Sequence, residues 1–396
     1  MKTCLIIGAG SAGSVVIQKC LEMTKVFSTI HVATRTLATL NALKQNLNLN
    51  ITTHQCDADD TQQVIQLIKK TNPYCLINMA LPYQDLTIMQ ACLETKTHYI
   101  DTANYEPKDK AEFCYKWQWD YHQQFKQAGI MALLGAGFDP GVTNVFCAYA
   151  QKHLFDSIDT IDIIDCNAGD HKQPFATNFN PEINIREITQ QGKFYKDNQW
   201  HTTKPLSQHQ SIYFPQVGHK TAYLMYHEEL ESLAKHIPNV KSLRFWMTFS
   251  DQYLTYLDVL QNIGLTQITP IDFQGQSIIP LQFLKALLPN PASLAKNYEG
   301  KTCIGCVITG QKNNKPSKKI IYNICHHQDA FSDCQAQAVG YTTGVPTAVA
   351  AQLLCTGQWL TPGVINIEQC NPDPFLDILP NYGLSWTVAD YDHTIT

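Results

Sequence analysis

A doubly wound, Rossmann-type α/β domain joined to an α+β domain with a mainly antiparallel sheet is the fold this sequence predicts. Three observations carry the prediction. Short β-branched runs alternate with helical patterns over the first 145 residues. A glycine-rich turn, GAGSAG at 8–13, follows the first of these runs. From about Asp159 onward longer runs succeed one another, several separated only by turn-like stretches. Strand, helix and strand repeated at short spacing make a parallel sheet with right-handed crossovers, whereas strands in direct succession make an antiparallel one.

In the first half, 3–7, 29–33, 50–55, 74–79 and 98–100 read as strands, and 14–23, 37–45, 61–70 and 85–94 as the helices between them. A further helix is expected over 109–128 and a sixth strand over 130–134. In the second half, 160–166, 183–190, 243–249, 302–309 and 319–326 read as strands. The stretch GQKNNKP at 310–316 has the composition of a hairpin connection between the last two. A small-residue helix at 345–354 precedes Pro- and Gly-rich coil. The expected division is a dinucleotide-binding domain over 1–145, completed by 342–396, and a substrate-binding and dimerisation domain over 146–341.

Composition narrows the function. A net charge of −5 with no basic stripe argues against nucleic acid. No segment offers the ~18 uncharged apolar residues of a membrane span, and the N-terminal apolar run is too short for a signal peptide, so a cytoplasmic protein is expected. Fourteen cysteines in no framework spacing suit buried free thiols. Cys303 and Cys306 suggest a metal pair, but residues three apart on a strand face opposite sides, so no metal is expected.

The turn at 8–13 opens a helix directly after a strand. Gly8 makes the tight turn, Gly10 lets the backbone approach a pyrophosphate, and Gly13 lets helix and strand pack closely, with Ser11 and Ala12 at the helix N-terminus. The second strand ends in Thr34, Arg35 and Thr36 instead of the acid that would accept from a ribose 2′-hydroxyl. A guanidinium there grips a 2′-phosphate, so NADP(H) is the expected cofactor. Asp57 and Ala58 end the third strand near the adenine, and Ala80, Leu81 and Pro82 end the fourth at the ligand crevice.

GAGSAG, ATRT, INMALP, HYIDTANYE and GAGFDPGVTN together resemble the saccharopine dehydrogenase-like family. The stretch IDIIDCNAGDHKQPFATNFNPEINIREIT and the tail segment VGYTTGVPTAVAAQLL are similar to its carboxynorspermidine (carboxyspermidine) dehydrogenase branch. The resemblance covers essentially the whole chain. It implies a bilobal homodimer of polyamine biosynthesis that uses NADPH to condense L-aspartate β-semialdehyde reductively with 1,3-diaminopropane or putrescine. Saccharopine reductase, or another opine-type imine reductase, is the alternative enzyme; a non-catalytic NADP-binding regulator is the alternative of another class.

The resemblance also implies a catalytic Asp in the DPG turn and a catalytic Cys after the first strand of the second domain, which match Asp139 and Cys166. Pro140 and Gly141 would border the nicotinamide. Asp139 has a second reading as N-cap of a helix beginning at Pro140, and Cys166 as a buried core thiol. The semialdehyde's carboxylate needs a clamp, and of three arginines Arg186 is the first candidate and Arg244 the second. Asn167, Asn178, Glu182 and Tyr105 are candidate polar liners. The distal ammonium of a diamine would take Glu182, Asp251 or the aromatic stretch 245–256.

Overall fold

The computed structural model describes residues 1–395. Its first layer is a seven-stranded parallel sheet. The strands are β1 (Lys2–Ile7), β2 (Phe27–Thr34), β3 (Thr52–Gln55), β4 (Cys75–Asn78), β5 (His98–Ile100) and β6 (Met131–Leu134), with a last strand supplied by Gly363–Asn366. In space the tail strand comes first, followed by β6, β5, β4, β1, β2 and β3. The order reverses beside β1, so a crevice opens at its carboxyl end, where such sheets take ligands. The flanking helices are α1 (Ser11–Glu22), α2 (Leu37–Asn46), α3 (Thr61–Thr71) and α4 (Asp85–Thr95).

The helix expected over 109–128 is only two short pieces, α5 (Lys116–Trp119) and α6 (His122–Ala128). The chain before them cannot wind because a side chain takes its carbonyls: Arg186 donates to the oxygens of Pro107, Lys108 and Lys110 at 2.9, 3.0 and 2.6 Å. After β6 the Asp139–Pro140 peptide is cis, and helix α7 (Val142–Tyr149) starts two residues later than expected, with Gly141 as its N-cap.

The second layer is built on β7 (Ser157–Asn167). Helix α8 (Pro181–Thr189) follows, where a strand was expected over 183–190. The β-branched run INIREIT is overridden by a strong helix start: Asn180 Oδ1 accepts from the amides of Glu182 and Ile183, Pro181 fills the first position, and Glu182 lies in the first turn. The chain then gives β8 (Gly192–Lys196), β9 (Gln199–Thr203), β10 (His209–Phe214), β11 (Gly218–Met225), α9 (Glu229–His236) and β12 (Ser242–Thr248). Helix α10 (Asp251–Asn262), the hairpin of β13 (Ile271–Phe273) and β14 (Gln276–Ile278), and helix α11 (Pro280–Leu287) form an outlying segment. The long strands β15 (Lys301–Lys312) and β16 (Lys315–His326) make the hairpin that the sequence anticipates.

This sheet runs β10-β11-β12-β7-β15-β16 and a final tail strand, antiparallel except for the β12–β7 pair. The tail is more ordered than the expected coil. After α12 (His327–Cys334) and α13 (Ala338–Cys355), β17 (Gly363–Asn366) joins the first sheet, α14 (Pro372–Ile378) packs beneath, and β18 (Trp386–Asp390) edges the second. Helix α13 is seated on α1. A Cβ on Gly340 would fall 2.4 Å from Ser11 Oγ, so glycine permits that approach.

Among the described residues all fourteen cysteines are free, and thirteen are buried. Cys303 packs in the cluster on one face of the second sheet and Cys306 in the cluster on the other. Among the described residues no helix is long and apolar enough to cross a membrane.

Candidate active site

A cavity of about 620 Å³ lies between the two sheets, with the glycine turn in one wall and β7 in another. Gly10, Ser11, Ala12, Gly13, Ala80, Leu81, Pro82 and Pro140 all border it. Gly8 sits behind, at φ +103°, where a Cβ would meet the carbonyl of Met79 at 2.3 Å. A Cβ at Gly10, by contrast, would meet nothing within 4 Å, which leaves open space over the start of α1. No side chain caps that helix, and Ser11 Oγ is buried without a hydrogen-bond partner. Uncapped amides plus an orphaned hydroxyl at a helix N-terminus fit a pyrophosphate. Thr34, Arg35 and Thr36 close β2, with Arg35 exposed. Asp57, Ala58 and Gly141 lie outside the cavity wall.

Asp139 and Asp165 face each other across the cavity floor, close enough for one carboxyl to hydrogen-bond the other. Enclosing walls disfavour both charged forms, and the Asp165 carboxylate further disfavours the ionisation of Asp139. Burial foremost raises Asp165 to about 7, with the hydrogen bond from Asp139 restraining it; burial and then Asp165 hold Asp139 well above the usual carboxylate range. Near neutrality the pair therefore shares a proton that Asp139 donates and Asp165 accepts.

His227 stands beside this pair. Its Nε2 is 3.2 Å from Glu187 Oε1, and its Nδ1 meets Glu229 and lies 3.4 Å from Glu228 Oε2. Burial alone would lower the imidazole's pKa, but the three glutamates outweigh it and hold it well above the ordinary value. His227, Glu228 and Glu229 could in outline hold a metal ion. A protonated imidazole has no lone pair to give one, and these residues read as an ion-pair network.

Several residues singled out from the sequence lie elsewhere, and β-sheet register explains two of them together. Asp165 pairs with Met247 and Ile304, and all three line the cavity. Side chains alternate along a strand, so Cys166 points to the far face, where it packs with Trp246 and Cys303. Arg244 is on that far face as well, directly opposite Asp162, which it grips through Nε at 2.6 Å and a terminal nitrogen at 3.1 Å. Cys166 is thus a core thiol, pushed up to about 11 chiefly by burial, and Arg244 is a strand-to-strand clamp.

Arg186 is no substrate clamp either. It is 2% exposed, ion-paired to buried Glu106, and spends its terminal nitrogens on the three loop carbonyls. Tyr105 packs edge-on against Trp117, away from the cavity. Glu182 is neutralised by Lys285 at 2.9 Å and accepts from Tyr83 at 3.0 Å; Asp251 is exposed at the start of α10. Neither can serve as the cation partner expected of it.

Asn178 does line the cavity, and Asn167 orients it from behind. His327 accepts from the Ala338 amide through Nδ1, so its other nitrogen carries the proton and donates to Asn167 Oδ1 at 3.0 Å. Burial keeps this imidazole neutral, with a pKa near 3. Asn167 donates to Tyr298 at 2.8 Å, and Tyr298 donates to Asn178 Oδ1 at 2.6 Å. With its oxygen taken, Asn178 presents its amide N–H groups. Asn180 and Asn290 also line the cavity, and their oxygens are likewise spent on helix caps. Together with Lys285 they form a wall of donors.

The geometry of a dinucleotide site facing a titratable cluster has known relatives. The chain matches the family model for the saccharopine dehydrogenase NADP binding domain over residues 4–133 and that for the saccharopine dehydrogenase C-terminal domain over 137–384. The chain belongs to the saccharopine dehydrogenase family. It is 51% identical over 387 residues to carboxyaminopropylagmatine dehydrogenase of Synechocystis, covering 98% of this chain and 97% of that one. It is 42% identical over 402 residues to carboxynorspermidine synthase of Vibrio cholerae, again covering 98% and 97%. In structure it is similar to saccharopine dehydrogenase (L-Glu forming) of Saccharomyces cerevisiae, with a TM-score of 0.72 at 13% identity, covering 98% of this chain and all of that one. This chain is therefore an oxidoreductase of the CH–NH type with a nicotinamide cofactor, related to enzymes of polyamine chemistry.

The sequence offered a signal for the residues it did not single out. His227, Glu228 and Glu229 follow directly on the apolar run Ala222–Tyr226, and Asp165 is the strand neighbour of Cys166. Which of two adjacent strand residues faces the crevice is a one-residue register question.

Proposed function

We propose that this protein uses NADPH to condense L-aspartate β-semialdehyde reductively with a dicationic amine. The observation that carries the reading is the proton-sharing Asp139–Asp165 pair in the same cavity as the glycine turn. Arg35, exposed where NAD enzymes place an acid, supports NADPH over NADH. The bound cofactor supplies the hydride.

The chain's own residues supply the rest. The donor wall of Asn178, Asn180 and Asn290, beside the Glu182-paired Lys285, suits the semialdehyde's carboxylate, in place of an arginine. Asp165 accepts the proton that the amine releases as its nitrogen attacks the aldehyde carbon. Asp139 gives its proton to the carbinolamine hydroxyl, which leaves as water and yields the imine. Positioned acid–base groups of this kind contribute roughly 10²–10⁴-fold.

The amine reads as putrescine or 1,3-diaminopropane. The relative at 51% identity is named for an agmatine bearing a carboxyaminopropyl group, which adds agmatine as a second candidate. All three carry a distal cation. We further read the protein as a homodimer. The exposed apolar residues Val259, Ile263, Ile271, Phe273, Phe283 and Leu287 on the outlying segment offer a face for a second copy, and sedimentation reads this directly.

The deciding experiment follows NADPH absorbance with the semialdehyde plus each amine and identifies the product by mass. The expected products are the three secondary amines. Turnover with glutamate and a longer semialdehyde, and none with diamines, would refute the reading.

A further inference from the structure

Three carboxyl groups in the cavity wall are left over by this mechanism. Asp85 opens α4 just beyond β4, Asp101 follows β5, and Glu228 follows β11. All three line the cavity, at 2%, 2% and 6% exposure. Asn78, which ends β4, and Asp101, which follows β5, stand at the carboxyl ends of adjacent strands. Asp85 Oδ1 accepts from Asn78 at 2.8 Å, while its Oδ2 is buried without a hydrogen-bond partner. Asp101 is held by the Gly135 amide at 2.8 Å and by Gln118 at 2.7 Å.

Among the described residues no cation of the protein answers Asp85 or Asp101, and Glu228 has only a share of His227. Lys285 is committed to Glu182, and His227, besides touching Glu228, is committed to Glu187 and Glu229. Burial foremost raises Asp85 and Asp101; Asp101 and Glu228 then raise Asp85 further, and Glu228 raises Asp101 against the hydrogen bonds that it accepts, as like charges in one enclosure do. A buried acceptor left without a donor is costly, and so is uncompensated like charge, unless a ligand supplies what is missing.

We propose that Asp85, Asp101 and Glu228 form the subsite for the distal cation of the amine substrate, an ammonium or a guanidinium at the end of an aliphatic chain. The proposal rests on the reductive condensation described above and names what selects its amine. A guanidinium or ammonium donates to Asp85 Oδ2 and neutralises the cluster, so a dication gains where a simple alkylamine cannot. Asp85, Asp101 and Glu228 here replace Glu182 and Asp251.

The test compares putrescine and agmatine with butylamine, which lacks the distal charge, in wild type, Asp85→Asn and Glu228→Gln. Wild type should favour the dications in kcat/KM, and each variant should shrink that preference roughly ten- to hundredfold, the scale of one charge-assisted contact. Asp85→Asn should also melt no lower than wild type without amine, because a neutral amide replaces a buried carboxyl whose ionisation burial and its neighbours oppose. Equal use of butylamine and putrescine by wild type would overturn the proposal. So would variants that raise KM for NADPH while keeping the dication preference, which would assign the cluster to the cofactor. If no amine supports turnover, the condensation reading itself fails. The subsite is then still read by thermal shift of the NADP-loaded protein with putrescine: protection in wild type that Asp85→Asn loses supports it, and no protection sinks it.

Discussion

Replacing Asp139 in two ways separates its roles as proton donor and as hydrogen-bond partner. In the native pair Asp165 is raised to about 7, with burial as the largest cause and the hydrogen bond from Asp139 acting against it. Asp139→Asn keeps a donor, so the ionisation of Asp165 should stay near 7, but the transferable proton is gone. The maximal rate should fall roughly 10²–10⁴-fold, the usual contribution of a positioned acid. Asp139→Ala removes the donor as well. A hydrogen bond to a charged group is worth about 1.5–3 kcal/mol, so Asp165 should rise by about 1–2 pH units. Asp165 acts as the ionised base, so activity is lost as pH falls through its pKa, and a raised pKa moves the acid limb of kcat/KM upward. The assay is NADPH oxidation from pH 5.5 to 9.5 with one amine throughout, so that the amine's own titration cancels between variants. A limb that moves down, toward or below the lower end of that range, in Asp139→Ala would show that repulsion outweighs the hydrogen bond. A wild-type rate in Asp139→Asn would remove Asp139 from the proton path.

Four further outcomes follow from the geometry. Arg35→Ala should weaken NADPH use roughly ten- to hundredfold and NADH use little, measured as KM for each; equal losses would deny a 2′-phosphate contact. Tyr298→Phe breaks the chain from His327 to Asn178, so KM for the semialdehyde should rise about tenfold while KM for NADPH holds; the reverse pattern counts against the donor wall. Arg186→Ala strands buried Glu106 and should cost about 3–5 kcal/mol in urea unfolding; a raised semialdehyde KM with unchanged stability would restore it as a substrate clamp. Cys166→Ser should turn over like wild type, because its side chain faces the core; a large loss of rate with an intact fold would contradict the register argument.

Much of the fold is written locally in this sequence. A β-branched run, the GAGSAG turn and a helix after it need only neighbouring residues to be recognised, because tight turns and helix starts are short-range events. The same holds for the glycine loop's residues at the cavity and for Asp139, whose turn ends a Rossmann strand. Local signals misled where distant groups intervened. The strand expected over 183–190 is a helix because its cap outweighs its β-branched pattern, and the helix expected over 109–128 is broken by Arg186 reaching back across 76 residues to Lys110. The candidate site depended still more on tertiary structure. Residue type made Arg186 and Arg244 attractive and the family resemblance Cys166, but only the sheet register and the partners of each guanidinium show that all three face away from the cavity. Conversely Asp85, Asp165 and the neighbours His227 and Glu228 come from three separate segments and acquire their chemistry only when folding encloses them together. Desolvation and mutual charge belong to the enclosure, and no stretch of sequence contains it.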